Sequence, residues 1–192
     1  MLLLTLMKEL IFSTGNADKF ASAQSACTEY GLTFTQSKLD IDEIQGENSE
    51  RIARDKANKA FVLVQKPLVV TDDSWAFLGL NGFPGAYMRS MNHWFTPEDF
   101  LRLTLPLQDR QVLLKMYVVY QDAQRQKLFT GEVSGKLLKE VRGHSDNPSH
   151  SIVSLDGDNG LSIAEVYEQG TNLSQRQSAI IWHQFAKWYT AI

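Results

Sequence analysis

A chain of 192 residues that is 43% hydrophobic, with 10 Phe, carries ample material for a sizeable core, and its single Cys excludes an intramolecular disulfide framework. The balance of 19 basic against 22 acidic residues, net −3, shows no basic excess of the kind that coats long polyanions, so no nucleic-acid polymer is expected as a partner. No run approaches the ~20 apolar residues of a membrane span, so no membrane partner is expected and the expected compartment is the cytoplasm. A small anionic ligand stays open, since a few lysines and a metal ion can hold one at any net charge. Met1 to Leu6 is apolar, short, and without the basic start and small-residue cleavage site of a signal peptide. These six residues are expected to be an extension ahead of Met7, within one α/β domain spanning 1–192.

Leu10-Ile11-Phe12 predicts a short buried strand, closed by the turn cluster Ser13-Thr14-Gly15-Asn16, and 17–30 predicts a helix. Cys27, spaced among Ala23, Ala26 and Tyr30, reads as a small buried hydrophobe. A second strand is expected over 33–37, then an acidic connector over 40–50 with no helical period, then a helix over 50–64 stopped by Lys66-Pro67. Leu68-Val69-Val70-Thr71 predicts a core strand with Asp72, Asp73 and Ser74 at its end. Asn81-Gly82-Phe83-Pro84-Gly85 predicts a rigid loop, and Thr96-Pro97-Glu98 a helix start with Thr as N-cap and Pro at the first position. The segments 111–120 and 127–133 alternate as paired antiparallel strands, and 143–151 is a polar loop. Ser174 is expected to cap a final helix whose apolar stripe is Ile180, Ile181, Phe185 and Trp188. The sum is a mixed α/β chain with a central sheet and flanking helices.

Several constellations can carry chemistry. Thr14-Gly15-Asn16 opens a helix whose N-terminal N–H groups and dipole favour an anion, with Lys19 one turn in as a point charge. An ordinary helix cap is the competing reading. Asp72 and Asp73, adjacent on an extended segment, project in different directions. One can hold a metal while the other accepts a proton, or both can belong to a solvated turn. The connector Asp40-Ile41-Asp42-Glu43-Ile44-Gln45-Gly46-Glu47 is dense in oxygen donors or simply solvated. Lys56 and Lys59 share one helix face, open to a phosphate chain or to water. The Gly- and Pro-stiffened loop over 82–89 presents Tyr87 and Arg89, an aromatic and a guanidinium able to meet a base and a phosphate. His93, His144, His150 and His183 lack metal-ligand spacing, and Trp75, Trp94, Trp182 and Trp188 are expected in core or dimer contacts.

In this order and spacing, from about residue 8 to residue 90, these segments resemble the ITPase/Ham1 family, pyrophosphatases of non-standard purine nucleoside triphosphates such as ITP, XTP and dITP. The resemblance is carried by Thr14-Gly15-Asn16-Ala17 with Lys19, by Glu43 with Gln45-Gly46-Glu47, by Lys56 and Lys59, by Asp72-Asp73-Ser74, and by Leu80 to Tyr87. It implies an elongated mixed β-sheet with flanking helices in two lobes, a nucleotide cleft between them, and a homodimer. It also implies Mg²⁺ on Glu43 and Asp73 with Asp72 beside them, and Asp73 as proton acceptor for the attacking water. Thr14, Gly15, Asn16, Lys19, Lys56, Ser74 and Arg89 would hold the triphosphate, and cleavage would release a monophosphate and pyrophosphate.

The second half departs from the family pattern. An aromatic-Gly-aromatic-Asp-Pro stretch that reads the base corresponds here to His144-Ser145-Asp146-Asn147-Pro148. A Lys expected before the last helix is absent from Gln169-Gly170-Thr171-Asn172-Leu173, and the closing Ser-His-Arg reads Ser174-Gln175-Arg176. Asn147, Gln175 and Arg176 are the remaining candidates for contact with the base. Asn and Gln each offer donor and acceptor, so an altered preference or a loss of discrimination is expected. The alternative is a nucleotide-binding sensor with reduced turnover.

Overall fold

The computed structural model describes residues 8–170 and 173–192, with the side chains of 8 and 173–177 outside the description. The chain divides into two compact units, one made of residues up to Asp72 with Met116–Gly131 and Ser174–Ile192, the other of Asp73–Lys115 and Glu132–Leu173.

The first unit opens with β1 (Lys8–Ser13), α1 (Ala17–Thr28), β2 (Leu32–Ser37), α2 (Ser49–Val64) and the start of β3 (Leu68–Phe77). β1 runs parallel to β2, Lys8 opposite Leu32 through Ser13 opposite Ser37, and parallel to β3, Ile11 opposite Leu68 through Ser13 opposite Val70. A strand flanked by parallel neighbours is covered on both faces and reads as a continuous apolar run. Leu10, Phe12, Leu68, Val69 and Val70 are accordingly buried. α2 packs through small residues: Ala53, Ala57 and Ala60 lie against Leu68, Val70 and Val119.

The first unit is completed by the end of β5 (Gln111–Gln121), the start of β6 (Gln126–Leu137) and by α6 (Leu173–Thr190). α6 is described from Leu173, and the expected cap role of the Ser174 side chain lies outside the described residues. Its buried positions are Ile181, Trp182, Phe185 and Ala186, whereas Ile180 is 68% exposed. The expected stripe is therefore corrected by one position. The 181/185 and 182/186 rows meet the core, and at about 100° per residue Ile180 is turned away from them. Cys27 is buried and its thiol is pushed up to about 12, first by burial and then by the Glu29 carboxylate, which fits the small-hydrophobe reading.

The second unit contains the rest of β3, a short helical turn over 78–80, β4 (Pro84–Gly85), α3 (Met88–Trp94) and α4 (Pro97–Thr104). The start of β5, the end of β6, β7 (Val153–Leu155) and α5 (Ile163–Glu168) follow. α4 has the expected cap: the Thr96 hydroxyl accepts from the Asp99 N–H, and the Asp99 carboxylate accepts from the Thr96 N–H, a reciprocal box.

β3 does not end at Thr71. Trp75, Ala76 and Phe77 continue it, with Trp75 opposite Gly85 and Ala76 opposite Pro84 in antiparallel pairing with β4. This removes the solvated-turn reading of Asp72 and Asp73 and places both inside a strand. Of the expected loop over 81–85, Asn81 and Gly82 adopt φ of 54° and 91°, the Phe83–Pro84 bond is cis, and Pro84–Gly85 is strand β4 rather than loop.

The strands follow the order β2-β1-β3-β5-β6-β7, with β4 beside β3, and β6 and β7 pair antiparallel. The mixed α/β class is thus the one expected. Among the described residues no helix is long and apolar enough to cross a membrane.

Candidate functional site

The turn between β1 and α1 is built by its own polar side chains. Asn16 is the N-cap of α1 and its side-chain oxygen accepts from the Lys19 N–H at 2.9 Å. The Thr14 hydroxyl accepts from the Asn16 N–H at 3.1 Å, and the Thr14 N–H donates to the Ser37 carbonyl at 3.1 Å. Gln36 donates from its side chain to the Thr14 carbonyl at 3.0 Å, so the turn is moored to the end of β2. The capping reading is therefore realised for Asn16. Its amide group and the Thr14 hydroxyl proton remain chemically capable of donating to an anion. Gly15 has nothing within 4 Å of where a Cβ would stand, so the turn presents bare backbone at the N-terminus of a 12-residue helix.

The acidic connector is strapped to α2 by its two lysines. Lys56 Nζ lies 2.7 Å from Glu43 Oε1, while Lys59 Nζ donates to the Asp42 carbonyl and lies 2.9 Å from Asp55 Oδ2. The candidate metal ligand and the candidate phosphate cation therefore neutralise each other. Both are partly exposed, so the pair is worth little and exchanges readily for stronger partners. Lys56→Ala is expected to weaken triphosphate binding by about tenfold to a hundredfold, the scale of a charged hydrogen bond, with a smaller loss for monophosphate. Calorimetric titration of both ligands checks this, and equal losses would mark Lys56 as a strap alone.

Asp72 and Asp73 follow each other within β3, so the pleat sends their side chains to opposite faces of the strand. Ser74 beside them is buried. Asp72 closes its stretch of the first unit and Asp73 opens the second, while Glu43 belongs to the first. Among the described residues no three His, Cys, Asp or Glu side chains are grouped to hold a metal alone. Arg89 stands exposed on the first turn of α3.

The base-reading stretch of the resemblance lies in the second unit. His144 N–H donates to Glu168 Oε1 at 2.8 Å, and Ser149 N–H donates to Asn92 Oδ1 at 3.0 Å. Asn147 N–H donates to Ser145 Oγ at 3.2 Å, and the Asn147 carbonyl accepts from the His150 N–H at 2.9 Å. Ser145 Oγ in turn lies 3.1 Å from His150 Nδ1, whose ring stacks on Tyr167 with centroids 5.6 Å apart and planes 24° apart. Burial pushes the His150 imidazole down to about 4. Asn147 is exposed at the head of this frame. Asn92, Tyr167 and Glu168 carry no spacing signal toward the loop, because they lie 17 to 57 positions from their partners, whereas His150 is local, five residues from Ser145 within the polar stretch 143–151. The side chains of Gln175 and Arg176 lie outside the described residues.

The fold and these groups define a class: a mixed-sheet α/β protein with a bare, capped helix N-terminus after its first strand and two adjacent carboxylates on a third. The chain belongs to the Ham1 family, whose model matches residues 10–187. It is 28% identical to a dITP/XTP pyrophosphatase of Methanopyrus kandleri, over 94% of this chain and 96% of that one. It is 30% identical to a dITP/XTP pyrophosphatase of Methanosarcina mazei, over 95% and 98% of the two chains. Its fold matches that of a HAM1 protein from Coxiella burnetii with a TM-score of 0.76 at 19% identity, over 97% of this chain and all of that one.

Proposed function

We propose that this chain hydrolyses nucleoside triphosphates to monophosphate and pyrophosphate with Mg²⁺. The observation that carries the reading is the family match over 10–187, with relatives named dITP/XTP pyrophosphatase aligned along nearly their whole length. Glu43 and Asp73 supply hard carboxylate oxygens with no Cys or His beside them, a donor pair that suits Mg²⁺, whereas Asp72 faces the other side of β3. An ion that keeps waters and shares substrate phosphates needs only one or two protein carboxylates. When bound, Mg²⁺ neutralises phosphate oxygens and the leaving pyrophosphate.

The chain's own groups do the rest. Asp73 orients the attacking water and accepts its proton. Thr14, Gly15, Asn16 and Lys19 meet phosphate oxygens with N–H groups and charge, Lys56 leaves Glu43 for the triphosphate, and Ser74 and Arg89 add donors. Asn147, Gln175 and Arg176 are the candidates for contact with the base in this reading. The same reading makes the protein a cytoplasmic homodimer.

With Asn147 and Gln175 where the family pattern has Asp and His, selectivity is expected to flatten or move to another base. A site built on hydrogen bonds to one base edge rejects analogues by leaving its own polar groups unpaired, and changed groups lose that penalty. The test is kcat/KM for ITP, XTP, dUTP, GTP and ATP, scored by pyrophosphate release with Mg²⁺ and again with EDTA. The expected result is Mg²⁺-dependent pyrophosphate release with less than about 10²-fold spread in favour of ITP and XTP. Full activity in EDTA would sink the metal assignment, and a spread above that value would show the altered residues to be neutral. Nucleotide binding without turnover would select the sensor reading.

A further inference from the structure

The loop over 144–148 departs most from the family pattern, and it is also held by contacts that the pattern would not make. Ser145 stands where the pattern has Gly, which has no hydroxyl. That hydroxyl accepts from the Asn147 N–H at 3.2 Å and meets His150 Nδ1 at 3.1 Å. His150 returns its backbone N–H to the Asn147 carbonyl at 2.9 Å. The Asn147 N–H is thus bound by the Ser145 side chain, which the His150 ring contacts in turn, and the Asn147 carbonyl by the His150 backbone. The His150 ring is stacked on Tyr167 of α5, and α5 itself is anchored by the Ser162 and Glu165 capping box. An exposed Asn side chain is thereby carried on a backbone held at both its N–H and its carbonyl.

We propose that His150, acting through Ser145, is a positioning residue that sets base specificity by fixing the Asn147 turn. The inference rests on reading the 144–148 loop as the base-contacting stretch. Its physical content is narrow. An amide that can donate and accept discriminates between a keto and an amino edge only if its orientation is held. A loosened Asn147 can rotate to satisfy either edge. Loss of the pair should therefore lower the affinity for the favoured base and leave or raise that for disfavoured ones. It should not act on phosphate binding.

Two variants separate this from a role in stability. His150→Phe keeps an aromatic ring for Tyr167 and removes Nδ1, and Ser145→Ala removes the hydroxyl and leaves the ring. The affinities of IMP, XMP, GMP, AMP and UMP are measured by calorimetry for each variant and the double variant, with pyrophosphate as a ligand that has no base. Each single variant is expected to change the ratio between the best and worst monophosphate by about threefold to tenfold, the worth of one hydrogen bond. Pyrophosphate affinity is expected to stay within about twofold, and the double variant to resemble the singles because they break the same contact. On turnover the change should appear in KM ratios between bases more than in kcat.

Unchanged ratios in folded variants overturn the proposal. So do losses shared equally by all monophosphates and pyrophosphate, or a wild-type chain that binds none of the monophosphates. A wild-type chain that binds them but releases no pyrophosphate from any triphosphate sinks the enzyme reading instead, and the binding ratios still decide the role of His150.

Discussion

Asp73→Asn is expected to lower the rate of pyrophosphate release by about 10²-fold or more, the scale of losing a positioned acid–base group. Asn preserves the size of the side chain and, since β3 pairing uses the backbone, leaves Trp75 and Ala76 opposite Gly85 and Pro84. What disappears is a proton acceptor and a hard anionic oxygen. Asp72 cannot take over, because consecutive residues of a strand point to opposite faces. The measurement is single-turnover hydrolysis of a saturating triphosphate at fixed Mg²⁺, beside a thermal melt showing that the variant is folded. Near-normal turnover in a folded Asp73→Asn protein would remove Asp73 from the chemistry.

The largest loss of stability is expected at Trp182. It is 2% exposed, and its ring meets Phe12 at 5.3 Å, Phe34 at 5.6 Å and Phe185 at 5.7 Å between centroids, two strands and its own helix. Trp182→Ala removes a large apolar surface and leaves a cavity whose walls belong to separate elements, so collapse is limited. The expected cost is about 3–5 kcal/mol. Ile180 lies two positions earlier on the same helix but is 68% exposed, so Ile180→Ala should cost no more than about 0.5 kcal/mol. Urea titration with the slope held common to all three proteins gives both numbers. A Trp182→Ala loss below about 1.5 kcal/mol, smaller than typical for a buried aromatic, would show that the cluster repacks.

Much of the candidate site was legible because its groups are local in the chain. The turn over 13–16 declares itself by Gly and by side chains that bond two or three residues away. Asn16 caps α1 and Thr14 bonds Asn16 within that short span. Thr96 and Pro97 announced α4 in the same way, since a cap and a fixed φ are properties of adjacent residues. The pairing of Lys56 with Glu43 was not legible. Both residues were singled out, but for a phosphate and a metal, and nothing in their spacing says that a connector folds back onto its own helix.

What the sequence determined by itself is the set of short-range commitments: the apolar runs of β1 and β3, the caps, the stiff Gly-Pro loop, and the order of motifs that marks the family. Only the tertiary structure decided the extent and the facing of elements. β3 reaches Phe77 because Trp75 and Ala76 find partners on β4, a pairing across a loop that no window of residues 68–74 contains. The buried side of α6 runs through Trp182 and Ala186 rather than Ile180 because Phe12 and Phe34 wait there, on strands more than a hundred residues earlier. The frame under Asn147 depends on Tyr167, Glu168 and Asn92 in the same sense. Local preference is summed over neighbours in the chain, whereas burial and hydrogen-bond satisfaction are settled between neighbours in space.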